Sequence, residues 1–101
     1  MSLEVTPEAA AVLRRSLELA GLDPASEAGV RLRAATALGG GSDVQVELAE
    51  GPLGGELTVT QEGIKVFVDP SVSALYPDAL VALEPHHETV VVRPNPAPDA
   101  G

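Results

Sequence analysis

From Thr6 the polar and apolar positions follow a helical period. Ala10, Leu13, Leu17 and Ala20 fall on one face, and Arg14, Arg15 and Glu18 on the other. Thr6-Pro7-Glu8 is a start signal: a hydroxyl to cap, a proline that loses nothing at the first helical position, and an acid at the positive end of the dipole. Gly21 suits the stop. The pattern predicts a helix over about 7–20. From Val30 the period becomes two. Val30, Leu32 and Ala34 alternate with Arg31, Arg33 and Ala35, and after Gly39-Gly40-Gly41-Ser42-Asp43 a second run sets Val44, Val46 and Leu48 against Gln45 and Glu47.

The loop Gly51-Pro52-Leu53-Gly54-Gly55 leads to a short strand with Leu57 and Val59, and Glu62-Gly63 reads as a tight hairpin turn into Ile64–Val68. Asp69-Pro70 repeats the cap-then-proline signature and predicts a short helix over 71–75. Strands are expected at 80–83 and 89–93, separated by the polar turn Glu84-Pro85-His86-His87-Glu88. Residues 94–101, rich in proline, form an extended tail. Short strands in succession joined by tight turns imply an α+β fold, mainly β, with antiparallel sheets. The expected core is Leu13, Leu17, Val30, Leu32, Val46, Leu48, Val59, Val66, Val68, Leu80 and Val91. The organisation is one domain over 1–93 with the tail at 94–101.

Composition narrows the function classes. The 101 residues carry 6 Lys+Arg against 15 Asp+Glu, a formal charge of −9. Such a surface repels phosphate backbones and anionic lipid, so neither nucleic acid nor membrane is an expected partner. No stretch reaches the roughly 20 apolar residues of a membrane span. The opening Met1-Ser2-Leu3-Glu4 lacks a basic leader region, so a cytoplasmic location is expected. There is no cysteine, which removes disulfides, thiolate metal sites and a cysteine nucleophile.

Four features of the sequence are candidates for chemistry. The triple glycine could turn N–H groups toward an anion, but a strand follows it and no Lys-Ser/Thr does, so it reads as a strand connection. His86 and His87, near Glu84 and Glu88, are neighbours that diverge on an extended chain and read as an exposed turn, with no metal expected. The scattered carboxylates read as a solvated surface, with Asp69 a helix cap. Ser42 lacks a nucleophile-elbow context and a neighbouring histidine in sequence. No catalytic residue is assigned, and no enzyme activity is expected.

The order of segments resembles the HesB/IscA family, the A-type carriers of iron–sulfur cluster biogenesis. Val5-Thr6-Pro7-Glu8-Ala9-Ala10 followed by Leu13 is similar to the family's opening strand and helix, and Gly29-Val30-Arg31-Leu32-Arg33 to its next strand. Gly63-Ile64-Lys65-Val66-Phe67-Val68-Asp69-Pro70 resembles the family's G-x-x-V-x-V-D-P stretch and is the most telling piece. Leu75, Tyr76 and Leu80 fit the segment after it, and Val92-Arg93-Pro94-Asn95-Pro96-Ala97 resembles the N-P-N-A before the family's C-terminal C-x-C. The resemblance implies a HesB-like antiparallel β-sandwich with one N-terminal helix and one short helix. It also implies a cluster held by three cysteines, and this chain has none. Gly41 stands at the first cysteine position and Asp43 at the glycine after Ser42; Pro98-Asp99-Ala100-Gly101 stand for the C-G-C-G tail. Iron in such clusters needs soft thiolates, so no cofactor is expected, and Gly39, Gly40, Gly41, Ser42 and Asp43 are a vacated cluster-site loop. Two expectations follow. One is an accessory role in iron–sulfur assembly through a protein partner; the other is a diverged small-ligand or protein-binding module. A homodimer is compatible with both.

Overall fold

The computed structural model describes residues 2–36, 38–84, 86 and 89–96. In chain order the elements are β1 (Ser2–Val5), α1 (Pro7–Leu19), β2 (Gly29–Thr36), β3 (Ser42–Ala49), β4 (Leu57–Gln61), β5 (Ile64–Val68), α2 (Pro70–Leu75), β6 (Asp78–Leu83) and β7 (Val90–Pro94). Thr6 caps α1 as its residue type foretells: the hydroxyl oxygen accepts the Ala9 N–H at 3.2 Å, and Pro7 opens the first turn. Gly21, at φ 77°, turns the chain out of α1, and the Leu22 N–H closes on the Leu17 carbonyl at 2.8 Å. Asp69 caps α2 by accepting the Ser71 N–H at 2.9 Å.

The strands form two sheets, ordered β1-β6-β7 and β3-β2-β5-β4. The α+β, mainly β architecture with one N-terminal helix and one short helix is present, and the sheets are mixed where wholly antiparallel ones were expected. β1 pairs with β6 in parallel, and β2 pairs with β5 in parallel, while β2–β3, β4–β5 and β6–β7 are antiparallel. Tight turns foretell only the antiparallel hairpins between sequence neighbours. The parallel pairs join strands distant in sequence, where no turn signal exists.

α1 lays Ala9, Ala10, Leu13 and Leu17 into the core. Against them lie Val30, Leu32, Ile64, Val66 and Val68 from the larger sheet, and Leu3, Val5, Ala79, Val81 and Val92 from the smaller. Two expected core positions move by one residue. Ala79 and Val81 are buried where Leu80 was expected, and Val92 where Val91 was; Leu80 and Val91 are half-buried. The Val81↔Val92 register sets both strands together, and a slip of one residue exchanges faces. Val46 and Val59 pack only partly, and Leu48 is 38% exposed, because β3 and β4 are the outer strands of their sheet.

A second small cluster lies on the opposite face of the larger sheet. Phe67, Ala28 and Ala49 are buried but sit apart from the main core. Phe67 faces the same side as Arg31, its register partner. The Arg31 guanidinium pairs with Glu56 at 2.6 Å and donates to the Gly51 carbonyl at 2.9 Å, while the Leu53 N–H donates to Glu56 at 2.7 Å. The connection between β3 and β4 is thereby tied down over that face. Gly29 belongs to the same region for a steric reason: a Cβ there would lie 2.2 Å from the Lys65 carbonyl oxygen of β5.

Candidate functional site

The glycine-rich loop joins two paired strands whose last rung is Thr36↔Ser42. Gly39 and Gly40 both stand at φ 93°, a conformation that side-chain-bearing residues rarely adopt. A Cβ at Gly39, Gly40 or Gly41 would meet nothing within 4 Å. Leu38, beside them, is fully exposed. The loop therefore projects from the end of the β2–β3 hairpin without packing against the body of the protein.

Ser42 and Asp43 are exposed at the start of β3. One Asp43 carboxylate oxygen accepts the N–H of Val44 at 2.8 Å. No hydrogen bond joins Ser42 to a general base among the described residues, so its hydroxyl has no activating partner there. Among those residues no group of three or more His, Cys, Asp or Glu converges into a metal-sized cluster. His86 is exposed, and its backbone N–H donates to Glu84 at 3.3 Å. His87, Glu88 and Asp99, and with them most of the predicted histidine turn and the end of the tail, lie outside the described residues.

Three further carboxylates are engaged structurally. Asp69 accepts from the Ser71 hydroxyl and the Ser71 N–H, and these bonds hold its carboxyl below the ordinary aspartate range. Glu56 is likewise held below its ordinary value, first by the hydrogen bond from Arg31 and further by the Leu53 N–H, against the opposing effect of desolvation. Glu47 pairs with Arg33 at 3.2 Å in an exposed bridge. Chain alternation marks Arg31 only as a polar-face residue. Its buried bridge to Glu56, twenty-five positions away, carries no sequence signal.

Surface depressions among the described residues lie away from the loop. An open one of about 520 Å³ is bordered by Arg31 and residues 48–53. A smaller, more apolar groove of about 300 Å³ runs between α1 and the outer strand β3, lined by Val12, Leu13, Ser16, Val46, Leu48 and Val90. No helix among the described residues is long and apolar enough to cross a membrane.

Solved structures of other proteins share this architecture. A crystal structure of IscA with a [2Fe–2S] cluster superimposes with a TM-score of 0.74 at 18% identity, covering 93% of this chain and 85% of that one. The chain has the HesB/IscA-like fold. Escherichia coli SufA, involved in the biosynthesis of iron–sulfur clusters, matches at TM-score 0.67 and 23% identity over 91% of this chain and 77% of SufA. A solution structure of a protein from Aquifex aeolicus matches at TM-score 0.67 and 17% identity, covering 91% and 89%. No protein-family model matches the sequence, and no curated protein does. At these identities the likeness concerns the HesB/IscA-like fold, and the chemistry has to be argued from the residues present. Cysteine, the soft ligand on which iron–sulfur clusters depend, is absent from all 101 positions.

Proposed function

We propose that this chain is a cysteine-free relative of the A-type iron–sulfur assembly proteins, acting in the cytoplasm as a non-enzymatic, protein-binding accessory that carries no cluster. The observation that carries the reading is the HesB/IscA-like fold in a chain without a thiol. Gly39, Gly40, Gly41, Ser42 and Asp43 are its vacated cluster-site loop. Gly41 offers no side-chain ligand, and Ser42 and Asp43 offer hard oxygen donors suited to other metals than an iron–sulfide core. What survives is a scaffold of the carriers' shape with an unpacked loop and a free leucine at its tip.

The test is a binding titration against a cysteine-bearing carrier of the same fold, apo and cluster-loaded, followed by calorimetry and visible absorption. Saturable binding is expected, with all visible absorption staying on the carrier. Binding to neither form overturns the accessory role. A brown sample with stoichiometric iron and sulfide after anaerobic reconstitution of this chain alone overturns the cluster-free role.

A further inference from the structure

The two sheets meet along two seams, and the chain treats them differently. Between β1 and β4 the Gln61 side chain bridges the gap: its amide donates to the Leu3 carbonyl and its oxygen accepts the Val5 N–H. Between β3 and β7 the strands lie side by side, but no ladder joins them among the described residues. The groove of about 300 Å³ opens at this second seam, bordered by Val46 and Leu48 of β3, Val90 of β7 and Val12 of α1.

Its walls suit an apolar occupant. The hydroxyl that lines it, on Ser16, is spent on the Val12 carbonyl of its own helix at 2.9 Å. Val12, Ser16 and Leu19 recur at i, i+4 and i+7, so they form one stripe along α1. Leu19 continues that stripe beyond the groove and is 77% exposed. Leu48 is shared, because it also borders the open depression at Gly51–Leu53.

Charge at the rim selects the occupant. Glu50 lines the depression, and the Glu27 side chain stands 3.9 Å from where a Cβ on Gly51 would lie. Neither carboxylate has an ion pair or hydrogen bond among the described residues. Arg31, which also borders the depression, is already bound by Glu56, and Arg33 by Glu47. The rim is therefore acidic within a chain of net charge −9, which turns away a second copy, an anionic lipid surface or an acidic peptide.

We propose that the α1–β3 groove and its acidic rim receive a basic amphipathic helix of a partner protein. The inference rests on the protein-binding part of the proposed function and names the surface used. The incoming helix lays its apolar face along Val12, Val46 and Leu48 and sets Lys or Arg beside Glu27 and Glu50. The stripe from Val12 to Leu19 is ~10 Å long at roughly 1.5 Å per residue, so a partner helix of about three turns covers it.

The probe is a fluorescein-labelled synthetic helix of leucine and lysine, with leucines at i, i+3, i+4 and i+7, titrated by anisotropy at ~20 mM and ~300 mM sodium chloride. One control scrambles the leucine stripe at the same composition, and another replaces lysine by glutamate. The expected result is one-to-one binding of the striped lysine peptide alone, weakening with salt, with amide shift changes confined to residues 12–19, 27 and 46–53. Leu48→Ser should weaken it about 10-fold or more, and Leu19→Ser about 5-fold. The exposed Leu19 keeps the test decisive if circular dichroism shows that Leu48→Ser misfolds. Glu50→Lys should weaken binding about 5-fold at low salt, whereas Glu4→Lys, the same charge change on β1 at the opposite seam, should stay within about 2-fold.

No binding, equal affinity for the scrambled peptide, equal losses from Glu4→Lys and Glu50→Lys, or shifts on another face would each overturn the proposal. Titrating the cysteine-bearing carrier against the parent chain and Leu19→Ser separates this reading from the accessory role. Carrier binding untouched by Leu19→Ser, with no peptide binding, removes the groove and leaves the accessory role standing. Peptide binding in the groove without carrier binding supports the groove and removes the accessory role.

Discussion

Two glycine-rich connections, 38–41 and 50–56, look alike as sequence and behave differently in the folded chain. Both are glycine-rich and hold one leucine with a large exposure, Leu38 and Leu53. The 50–56 segment is held at three points by the Arg31–Glu56 bridge, the Arg31 bond to Gly51 and the Leu53 bond to Glu56. The 38–41 segment meets nothing at any glycine position, and no side chain from elsewhere is bonded to it among the described residues. A glycine-rich stretch is thus fixed or free according to whether a distant charged residue reaches it. The free one sits where the resemblance to A-type carriers expects the first cluster ligand.

The largest expected effect lies outside both loops, at a glycine whose role is steric. Gly29→Ala forces a methyl group to 2.2 Å from the Lys65 carbonyl, a backbone atom that cannot swing aside. It should cost about 3 kcal/mol or more, read from urea midpoints. An effect below about 1 kcal/mol would mean the strands part easily and that glycine position is a poor guide to packing.

Arg31→Met strikes the held loop. It leaves Glu56 beneath the 50–56 segment with 4% of its side chain exposed and its cation gone. Arg31 borders the open depression at residues 48–53, so solvent reaches the pair and screens it, and the expected loss is about 1–2 kcal/mol rather than the larger cost of a deeply buried break. Amide exchange should quicken over 50–56 and leave 38–43 unchanged; equal quickening in both would erase the distinction.

The same bridge predicts a pH dependence. Glu56 and Asp69 have folded values held below their ordinary 4.5 and 3.8. A carboxyl whose folded value is depressed adds stability that is fully present above its unfolded value and is lost as pH falls through the folded one. Stability should therefore be level above about pH 5 and decline below about pH 4.5. In Arg31→Met that decline should be shallower, measured as urea midpoint against pH; an identical acid limb would remove Arg31 as the cause.

The smallest effects belong to the free loop. Gly40→Ala, at φ 93°, should cost about 1 kcal/mol for backbone strain alone. Gly41→Ala, with an ordinary φ and open space around it, should stay within about 0.5 kcal/mol of the parent. A large loss at Gly41 would show that the loop packs against something after all.

Much of this protein was legible along the chain because its signals are local. The caps at Thr6 and Asp69, the period of α1, the alternation in β2 and β5, and the Glu62-Gly63 turn all act between residues a few positions apart. Even Glu62, a residue without the usual preference for positive φ, adopts 52° because Gly63 and the flanking strands demand it. The absence of cysteine was equally plain. Other features required the folded chain. The parallel pairs β1–β6 and β2–β5, the shift from Leu80 and Val91 to Val81 and Val92, the Gln61 clasp on β1 and the Arg31–Glu56 tie are all long-range. Local preference is blind to them because each depends on which strand the chain brings alongside. Alternation says that two faces exist, but only the neighbouring strand, helix or loop decides which face is buried.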